Sequence, residues 1–433
     1  MIRRNRVLGV LAAVAAVAGS LGAATAQAPP QLPSDDLFSN PLRSLHRFDD
    51  FVYTAGERKN EAAAKVERLR ATLKTRKLDG LVIATERNLN WLTAGGKDNV
   101  VWAQRETAVK LLVTPDQLLL IANNIEAPRL MTEELDGLGY RVVQFPWHDA
   151  ESKVLAPLVR GKKVAFDLPA VAAEYGFDPN ATAFDFTPVY YPITPGELKK
   201  LRWLGRKTSE VLEQIAQVVR PEMTERDVQY LLQRECWYWD IFPTVVLSAA
   251  DERFITYRHP VVVGERIKRY VALNVCTRRW GLVISTTRLV HFGDPPPALK
   301  EAWDSGPAVC AAMWAASRPG NTLGDVINAA QRAYGKIGHP DEWKLHHQGG
   351  MILGLERLYL VPPGDRTRIV PGMVLAWNPT VQGTKFEDTV VVRPDGALEN
   401  LSFPEKSRWP AVEVSLDGKK YRVPGLLVRP AGH

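Results

Sequence analysis

The sequence contains few cysteines and lacks the short motifs that most often reveal a hydrolase or a metal site. Three of the 433 residues are cysteine, Cys236, Cys276 and Cys310, without a CxxC pair or zinc-finger spacing. One disulfide bridge would be compatible with an exported protein. An odd number of cysteines this small does not form a disulfide framework, so we expect buried apolar thiols. GxSxG, P-loop and HExxH sequences are absent too, so no motif of this kind identifies an active site.

The chain also lacks an extreme composition or charge. Hydrophobic residues make up 45% and charged residues 24%, which excludes a wholly disordered, collagenous or coiled-coil protein. The formal net charge is +7, and removing the segment that holds Arg3, Arg4 and Arg6 leaves seven less three, or +4. A surplus this small does not indicate nucleic acid or an anionic membrane as a partner.

The first residues have the three regions of a secretory signal peptide. Basic residues up to Arg6 precede an apolar stretch, and Ala24-Thr25-Ala26 offers a small-x-small cleavage site. An uncleaved N-terminal anchor is the alternative, although the small residues favour cleavage. No later run reaches the length of a membrane span. We therefore expect a signal peptide over residues 1–26 and a periplasmic or secreted protein without stable membrane insertion after cleavage.

Two patterns follow the signal peptide. Residues 27–56 are proline-rich and predict a linker. The pattern then becomes α/β, with an amphipathic helix over residues 60–78 followed by short apolar strands. A Pro115-Asp116 turn between two apolar runs predicts a hairpin. A small α/β domain is expected here.

An internal repeat predicts a second, duplicated domain. Thr194 begins a capping box with proline at the first helical position. The segment 220–228 recurs at 318–326 with Arg, Pro, Thr, Asp and Val in register, and strand-like runs follow both copies, among them residues 270–284. Two helix-then-strand halves predict a pseudo-duplicated α+β domain. The predicted organisation is a signal peptide (1–26), a linker (27–56), an α/β domain (57–190), the duplicated domain (191–400) and a C-terminal extension (401–433) with a candidate strand pair around Asp417-Gly418.

Two stretches of the duplicated domain carry candidate chemical groups. His346 and His347 precede a Gly-Gly pair, so two ring nitrogens are expected on a turn that a ligand can approach. A pair of satisfied loop histidines explains this stretch equally well. Glu387-Asp388 precedes an apolar strand, where paired acids suit metal binding or acid-base chemistry, although a solvated strand end is the more common explanation.

Three segments resemble a known family. Residues 77–81 (Lys-Leu-Asp-Gly-Leu), 88–93 (Asn-Leu-Asn-Trp-Leu-Thr) and 220–225 (Arg-Pro-Glu-Met-Thr-Glu) are similar to the pita-bread metallopeptidases, which include Xaa-Pro dipeptidase, Xaa-Pro aminopeptidase and creatinase. The resemblance implies an α/β creatinase-type N-terminal domain and an α+β pseudo-duplicated pita-bread domain. Relatives with this N-terminal domain are often dimers, so a homodimer is compatible with the resemblance.

That family binds two divalent metals through two Asp, one His and two Glu. The resemblance places Asn274, Ser285, Met351, Asn378 and Glu387 at these positions, in chain order. Only Glu387 is a family ligand, so the formal charge facing the ions falls from −4 to −1. Neutral oxygens and a soft thioether suit hard ions poorly. The resemblance therefore implies a lost two-metal site and no cofactor, unless the alignment is wrong and the ligands lie elsewhere.

The same resemblance suggests roles for other pocket residues. His259 matches a family histidine that contacts the substrate, and His347 matches the one that steadies the developing oxyanion. Lys385 stands where the Xaa-Pro enzymes have an arginine, and Leu358 occupies the position of a later histidine. The expected substrate-binding residues are Lys385, His346 and Asp388.

Three functions fit these residues. The first is a metal-independent hydrolase of a peptide or small C–N substrate, with His259 as base, His347 stabilising the oxyanion and Glu387 as an orienting acceptor. The second is a non-catalytic pseudopeptidase that binds a peptide or small molecule. The third is an Xaa-Pro-type metalloaminopeptidase whose site is rebuilt with a divalent metal, through His346, His347, Glu387 and Asp388. Nothing in the sequence identifies the substrate.

Overall fold

The structure, a computed structural model, describes residues 51–98, 100–101, 104–354 and 358–431. The chain divides at Arg47 into two units, and every described residue belongs to the second, Phe48–His433. The predicted signal peptide and most of the predicted linker lie outside the described residues. Among the helices that are described, none combines the length and apolarity needed to cross a membrane.

The N-terminal part folds around a five-stranded sheet with the strand order β4-β3-β2-β1-β5. β1 is buried along its whole length, as expected of a strand covered on both faces. The elements are α1 (Ala55–Arg76), β1 (Gly80–Thr85), α2 (Glu86–Leu92), β2 (Glu106–Val113), β3 (Leu118–Asn123), α3 (Glu126–Arg129), a π-helical turn (Leu130–Glu134), β4 (Arg141–Phe145), α4 (Ser152–Val159), β5 (Val164–Phe166), α5 (Pro169–Glu174) and α6 (Thr187–Tyr190).

Local sequence signals explain where these elements begin and turn. The Thr54 hydroxyl accepts a hydrogen bond from the backbone N–H of Glu57, and the Glu57 carboxylate accepts one from the backbone N–H of Thr54. Because of this capping box, α1 starts inside the predicted linker, just before residue 57. β2 and β3 pair antiparallel across Pro115-Asp116, which confirms the predicted hairpin.

The C-terminal part contains two larger sheets, with strand orders β16-β8-β7-β6 and β10-β9-β11-β12-β13, and the separate pair β14-β15. Its elements are α7 (Pro195–Val218), α8 (Glu225–Tyr238), β6 (Phe242–Val246), α9 (Asp251–Thr256), β7 (Tyr270–Arg279), β8 (Leu282–Phe292), α10 (Pro297–Ser305), α11 (Pro307–Ala316), α12 (Leu323–Lys336), a 3-10 turn (Glu342–Lys344), β9 (Gly349–Met351), β10 (Tyr359–Leu360), β11 (Val374–Trp377), β12 (Asp388–Val392), β13 (Leu398–Asn400), β14 (Ala411–Leu416), β15 (Lys419–Pro424) and β16 (Leu427–Arg429).

The two halves of this part repeat one construction, which confirms the predicted duplication. Thr224 and Thr322 cap α8 and α12, each through a capping box with an aspartate at the third helical position. Each threonine also forms an isolated antiparallel bridge to an arginine, Arg266 in the first half and Arg368 in the second. The threonine and aspartate of the sequence repeat are therefore the caps of equivalent helices.

The predicted run over residues 270–284 is two strands rather than one. β7 and β8 pair antiparallel up to Arg279 and Leu282, and the chain reverses at Trp280 and Gly281. Both turn residues have positive φ, 55° and 70°, as in a tight two-residue hairpin turn. The turn was not predicted because tryptophan rarely adopts this conformation.

Residues beyond 400 belong to the same fold. β14 and β15 form an antiparallel hairpin that turns at Asp417-Gly418, as predicted. β16 pairs in parallel with β8, so the predicted C-terminal extension adds an edge strand to the sheet that contains β7 and β8. All three cysteines are buried and none forms a disulfide, in agreement with the expected apolar thiols.

A buried ionic cluster joins the N-terminal part to the C-terminal part. Lys65 on α1 lies 2.8 Å from Glu61 and 3.0 Å from Glu197 on α7. Lys200 on α7 lies 3.0 Å from Glu61. Two ammonium groups thus balance two carboxylates among buried residues, and removing one partner of such a buried pair typically costs about 3–5 kcal/mol. This cluster holds α1 against α7.

Candidate functional site

Three of the five predicted ligand positions, Asn274, Ser285 and Glu387, come together at the β7–β8 hairpin. Asn274 is opposite Thr287, and Cys276 is opposite Ser285. Because alternate residues of a strand share a face, Asn274 and Ser285 lie on the same side of the sheet. The backbone N–H of Thr287 donates to the carbonyl oxygen of Glu387 at 3.1 Å, which brings the start of β12 to the same hairpin.

Donors surround one carboxylate oxygen of Glu387. Its Oε2 accepts from Asn274 Nδ2 at 2.6 Å and from Thr287 Oγ1 at 2.7 Å, and the Lys385 ammonium lies 3.4 Å away. Asn274 also donates to Thr287. None of these four side chains is more than 4% exposed. We call them the Glu387 network; its formal charge is zero because Lys385 balances Glu387.

The other three predicted ligand positions hold no ionisable side chain. Ser285 Oγ lies 3.0 Å from the sulfur of Cys276, and Met351 packs in the apolar core. Asn378 is 1% exposed, and within the described residues neither atom of its side-chain amide has a hydrogen-bond partner. A buried polar group left unsatisfied costs about 1–3 kcal/mol, so Asn378 marks a place where a polar ligand or water is expected.

Three histidines form a second group, which we call the imidazole cluster: His259, His346 and His347. One ring nitrogen from each lies within 4.8 Å of the others. Nε2 of His259 and Nε2 of His346 are 3.1 Å apart, and the ring centres of His346 and His347 are 4.5 Å apart. His259 is exposed, His347 is half-buried and His346 is buried, so the cluster extends from solvent into the protein.

The electrostatic surroundings of His346 keep its ring neutral. Burial is the main cause that lowers the pKa of His346 to about 2, and the Lys385 ammonium and the two neighbouring imidazoles lower it further. Glu387 acts in the opposite direction. These influences also indicate that the imidazole cluster and the Glu387 network lie close enough to affect one another. A neutral ring has one donor and one acceptor nitrogen, so in the bond between His259 and His346 one ring donates and the other accepts.

Gln348 and Tyr334 support the loop that carries two of these histidines. Gln348 Nε2 donates to the carbonyl oxygen of His346 at 2.7 Å, and Gln348 Oε1 accepts from the Tyr334 hydroxyl at 3.0 Å. The Tyr334 hydroxyl also accepts from the backbone N–H of Thr380 at 2.9 Å. Neither residue was predicted from the sequence. The only sequence signal was the place of Gln348 between the two histidines and the glycine pair, and Tyr334 had none because its contacts are long-range.

An ion pair connects the loop of the third histidine to the same region. Arg258, next to His259, pairs with Glu342 in the 3-10 turn that precedes the His346–His347 loop. Both side chains are largely buried, so the pair is better shielded from solvent than an ordinary surface salt bridge. The two loops that carry the cluster are therefore joined directly.

Asp388, a predicted substrate contact, lies apart from the Glu387 network and pairs with Arg288. Its Oδ1 accepts from Arg288 at 2.9 Å and from Thr286 at 3.3 Å. These two residues flank Thr287 on β8, so their side chains point to the face opposite the Glu387 network. Adjacent residues of a strand point to opposite faces, so Asp388 forms a buried ion pair with Arg288 on the face opposite Glu387. Leu358 packs against the apolar core and supplies no polar group at the site.

Two family models match the chain. Residues 199–394 match metallopeptidase family M24, and residues 65–187 match the creatinase/prolidase N-terminal domain. Together these ranges take in about three quarters of the chain. The first range contains every residue of the Glu387 network and of the imidazole cluster.

Known proteins with related sequences or folds agree with these matches. An Xaa-Pro dipeptidase of Lactobacillus delbrueckii subsp. lactis is 21% identical over 213 residues, which are 47% of this chain, and the match spans 58% of that relative's length. The structure of an Xaa-Pro dipeptidase from Bacillus anthracis has a TM-score of 0.66 at 18% identity, covering 85% of this chain and 100% of that chain. The N-terminal domain of FACT complex subunit SPT16 from Cicer arietinum has a TM-score of 0.61 at 13% identity, covering 79% and 96%. The chain belongs to the pita-bread metallopeptidase family M24, and a creatinase/prolidase N-terminal domain precedes its peptidase-like domain.

Proposed function

We propose that this chain is an Xaa-Pro peptidase- or creatinase-like hydrolase that acts on a peptide or small C–N substrate without the family's pair of metal ions. The observation that carries the proposal is the Glu387 network. Neutral donors and one ammonium surround the only carboxylate at the predicted ligand positions. The neighbouring imidazole cluster supplies groups that can move protons.

The Glu387 network does not fit two divalent ions. Hard ions require several anionic oxygens to replace their water shell, and here one carboxylate is already balanced by Lys385. Binding an ion to Glu387 would break hydrogen bonds to a charged group, each worth about 1.5–3 kcal/mol, and would bring the ion close to an ammonium. Losing residues that only hydrogen-bond to metal ligands lowers metal affinity by about 10–100-fold. Replacing four residues that would bind the ions directly should lower metal affinity further.

The imidazole cluster supports hydrolysis by general acid-base chemistry. When His259 donates to His346, its second ring nitrogen is the proton acceptor. His259 then takes a proton from water while the water oxygen attacks the carbonyl or amidine carbon, and His347 donates to the atom on which negative charge develops. The C–N bond breaks as His259 returns the proton to the leaving nitrogen.

Buried polar atoms without protein partners support a polar substrate. Within the described residues these include both amide atoms of Asn378, Nδ1 of His346 and the hydroxyl of Thr380. An amide-containing ligand can both donate to and accept from such atoms, which removes the cost of leaving them unsatisfied. We assign substrate contacts to His346 and Asn378. Lys385, a predicted substrate contact, acts mainly by balancing Glu387.

Peptide binding without turnover is the second candidate function. It is favoured by the same charge balance, because the carboxylate of Glu387 is already engaged by Lys385 and by two hydrogen-bond donors. The fold shared with a domain of a FACT complex subunit is compatible with a protein that acts through binding. Turnover separates the two candidates.

Export is a further part of the proposal. It rests on the basic, apolar and small-residue regions of residues 1–26, which predict a periplasmic or secreted protein. N-terminal sequencing of the protein recovered from the periplasm or medium is expected to begin at Gln27. A chain that retains Met1 and remains with the membrane fraction contradicts cleavage.

The hydrolase proposal predicts activity that resists chelation. Xaa-Pro dipeptides and small amidines should be cleaved equally well with and without a chelator, and His259→Ala should lower kcat by at least about 100-fold because a general base contributes about 10²–10⁴. His148→Ala, a change at an exposed histidine of the N-terminal part, serves as the control and should retain activity.

Other outcomes of this assay favour other functions. Ligand-induced thermal stabilisation without turnover supports the binding protein. Activity that a chelator abolishes and a divalent metal restores would contradict the proposal and favour a rebuilt Xaa-Pro-type metalloaminopeptidase.

The assignment of ligand positions predicts that the metal site can be restored. The combined changes Asn274→Asp, Ser285→Asp, Met351→His and Asn378→Glu return the family's ligand set and should create measurable Mn²⁺ or Co²⁺ binding by calorimetry. Adding Glu387→Gln to the same protein should weaken that binding again. If the quadruple variant folds but binds no ion, the assignment of ligand positions is wrong.

The neutrality of His346 predicts a specific acid sensitivity. The pKa of this ring is about 2 in the folded chain and about 6.5 in an exposed histidine. Below pH 6.5 the unfolded chain therefore binds a proton that the folded chain does not, and stability is lost as the pH falls. Between pH 7 and pH 5, the free energy of unfolding should fall by about 2 kcal/mol less in His346→Gln than in the unsubstituted protein. The measurement is urea unfolding in the presence of a chelator.

His148→Gln is the matched control for this experiment. His148 is exposed, and its replacement should leave the loss of stability between pH 7 and pH 5 at the value of the unsubstituted protein. Identical pH dependence in His346→Gln and the unsubstituted protein would show that His346 takes up a proton in the folded state.

A further inference from the structure

We propose that His259, His346 and His347 form a binding site for one borderline transition-metal ion such as Zn²⁺, distinct from the family's carboxylate positions. All three ligands would be neutral ring nitrogens. None of the three occupies a position that the family uses for a metal ligand.

The spacing of the ring nitrogens is close to that of a metal site. With Zn–N bonds of about 2.0–2.1 Å, two nitrogens of a tetrahedral site are about 3.3 Å apart. Nε2 of His259 and Nε2 of His346 are already 3.1 Å apart, and one ring nitrogen from each of the three histidines lies within 4.8 Å of the others. Completing the site requires the half-buried ring of His347 to move closer to the other two rings.

The chemistry of the donors selects the type of ion. Imidazole suits Zn²⁺, Ni²⁺ and Cu²⁺, whereas Mg²⁺, Ca²⁺ and Mn²⁺ prefer oxygen ligands. The Lys385 ammonium lies near His346 and opposes any cation, but Glu387 balances it at 3.4 Å. Imidazole nitrogens bind through a directed lone pair rather than a net charge, so this environment disfavours hard ions more than borderline ones.

The ring of His346 has one hydrogen bond within the described residues, and it is made through the Nε2 that would bind the ion. His346 is 7% exposed, and its Nδ1 has no hydrogen-bond partner within the described residues. A buried ring that bonds only to another imidazole through Nε2 is an unusual arrangement for a structural histidine. A bound ion would hold two or three rings at once and would fix their tautomers.

The protein holds the cluster in place without a metal. The carbonyl of His346 accepts from Gln348 at 2.7 Å, and the ion pair between Arg258 and Glu342 joins the two loops that carry the cluster. Such preorganisation lowers the cost of binding. The exposed side of His259 gives an ion access from solvent and leaves a coordination position for water or a ligand.

Metal binding has a consequence that, unlike the site itself, rests on the proposed function. An ion on His259 removes the base that the hydrolase uses. Zn²⁺ should therefore inhibit turnover, in contrast to the activation expected of a two-metal peptidase.

The test is a metal titration of the mature chain from Gln27, stripped with chelator and dialysed. Calorimetry with Zn²⁺ should give one ion per chain, and Co²⁺ should give the visible absorption of a nitrogen-ligated site. His346→Gln and, separately, His259→Gln should each weaken binding at least about tenfold, since even altered outer partners cost about 10–100-fold. His148→Gln should bind as the unsubstituted chain does.

Several outcomes would overturn the site. The site is wrong if the chain binds no Zn²⁺ or binds two ions. It is also wrong if His259→Gln and His346→Gln both bind Zn²⁺ with unchanged affinity. His259 is exposed, so His259→Gln remains informative if His346→Gln fails to fold. Binding is measured without substrate, so a chain that binds one ion but shows no turnover contradicts only the proposed function. Chelator-resistant turnover without Zn²⁺ binding contradicts only the site.

Discussion

The central constraint on this protein is that a buried carboxylate must have its charge compensated. Glu387 is almost fully buried, and no second acid faces it from the other predicted ligand positions. Lys385 provides the opposite charge, while Asn274 and Thr287 provide hydrogen bonds. A charge left alone in such a place would cost several kcal/mol. Lys385, Asn274 and Thr287 are thus residues that suit a single buried anion.

The duplicated fold explains why one point of the structure collects these residues. β7 and β8 come from the first half and β12 from the second, and the backbone contact between Thr287 and Glu387 joins the halves. The imidazole cluster also draws on both halves, His259 from the first and His346 with His347 from the second. Backbone hydrogen bonds hold β7, β8 and β12 together and do not depend on the side chains. Side-chain replacements at this site can therefore change its chemistry without changing the fold.

Much of this arrangement could be predicted before any coordinates. Thr194 was identified as a helix start because a capping box is a local contact within four residues. The hairpin at Pro115-Asp116 was identified for the same reason. The turn at Trp280-Gly281 was not predicted, since the packing that imposes positive φ on a tryptophan involves distant residues. The ion pair of Asp388 with Arg288 was not predicted, because sequence order does not show which face of a strand a side chain occupies.

By itself the sequence determined the family, the two-part organisation and the shortage of acids at the ligand positions, because these depend on residue identity and local spacing. Only the tertiary structure decided that Lys385 is the partner of Glu387, that Asp388 pairs instead with Arg288, and that three histidines from two loops meet. The physical reason is that charge compensation and ligand geometry are properties of distances between residues far apart in the chain. Residue types limit which contacts are possible, and the packing of the two halves selects the ones that form.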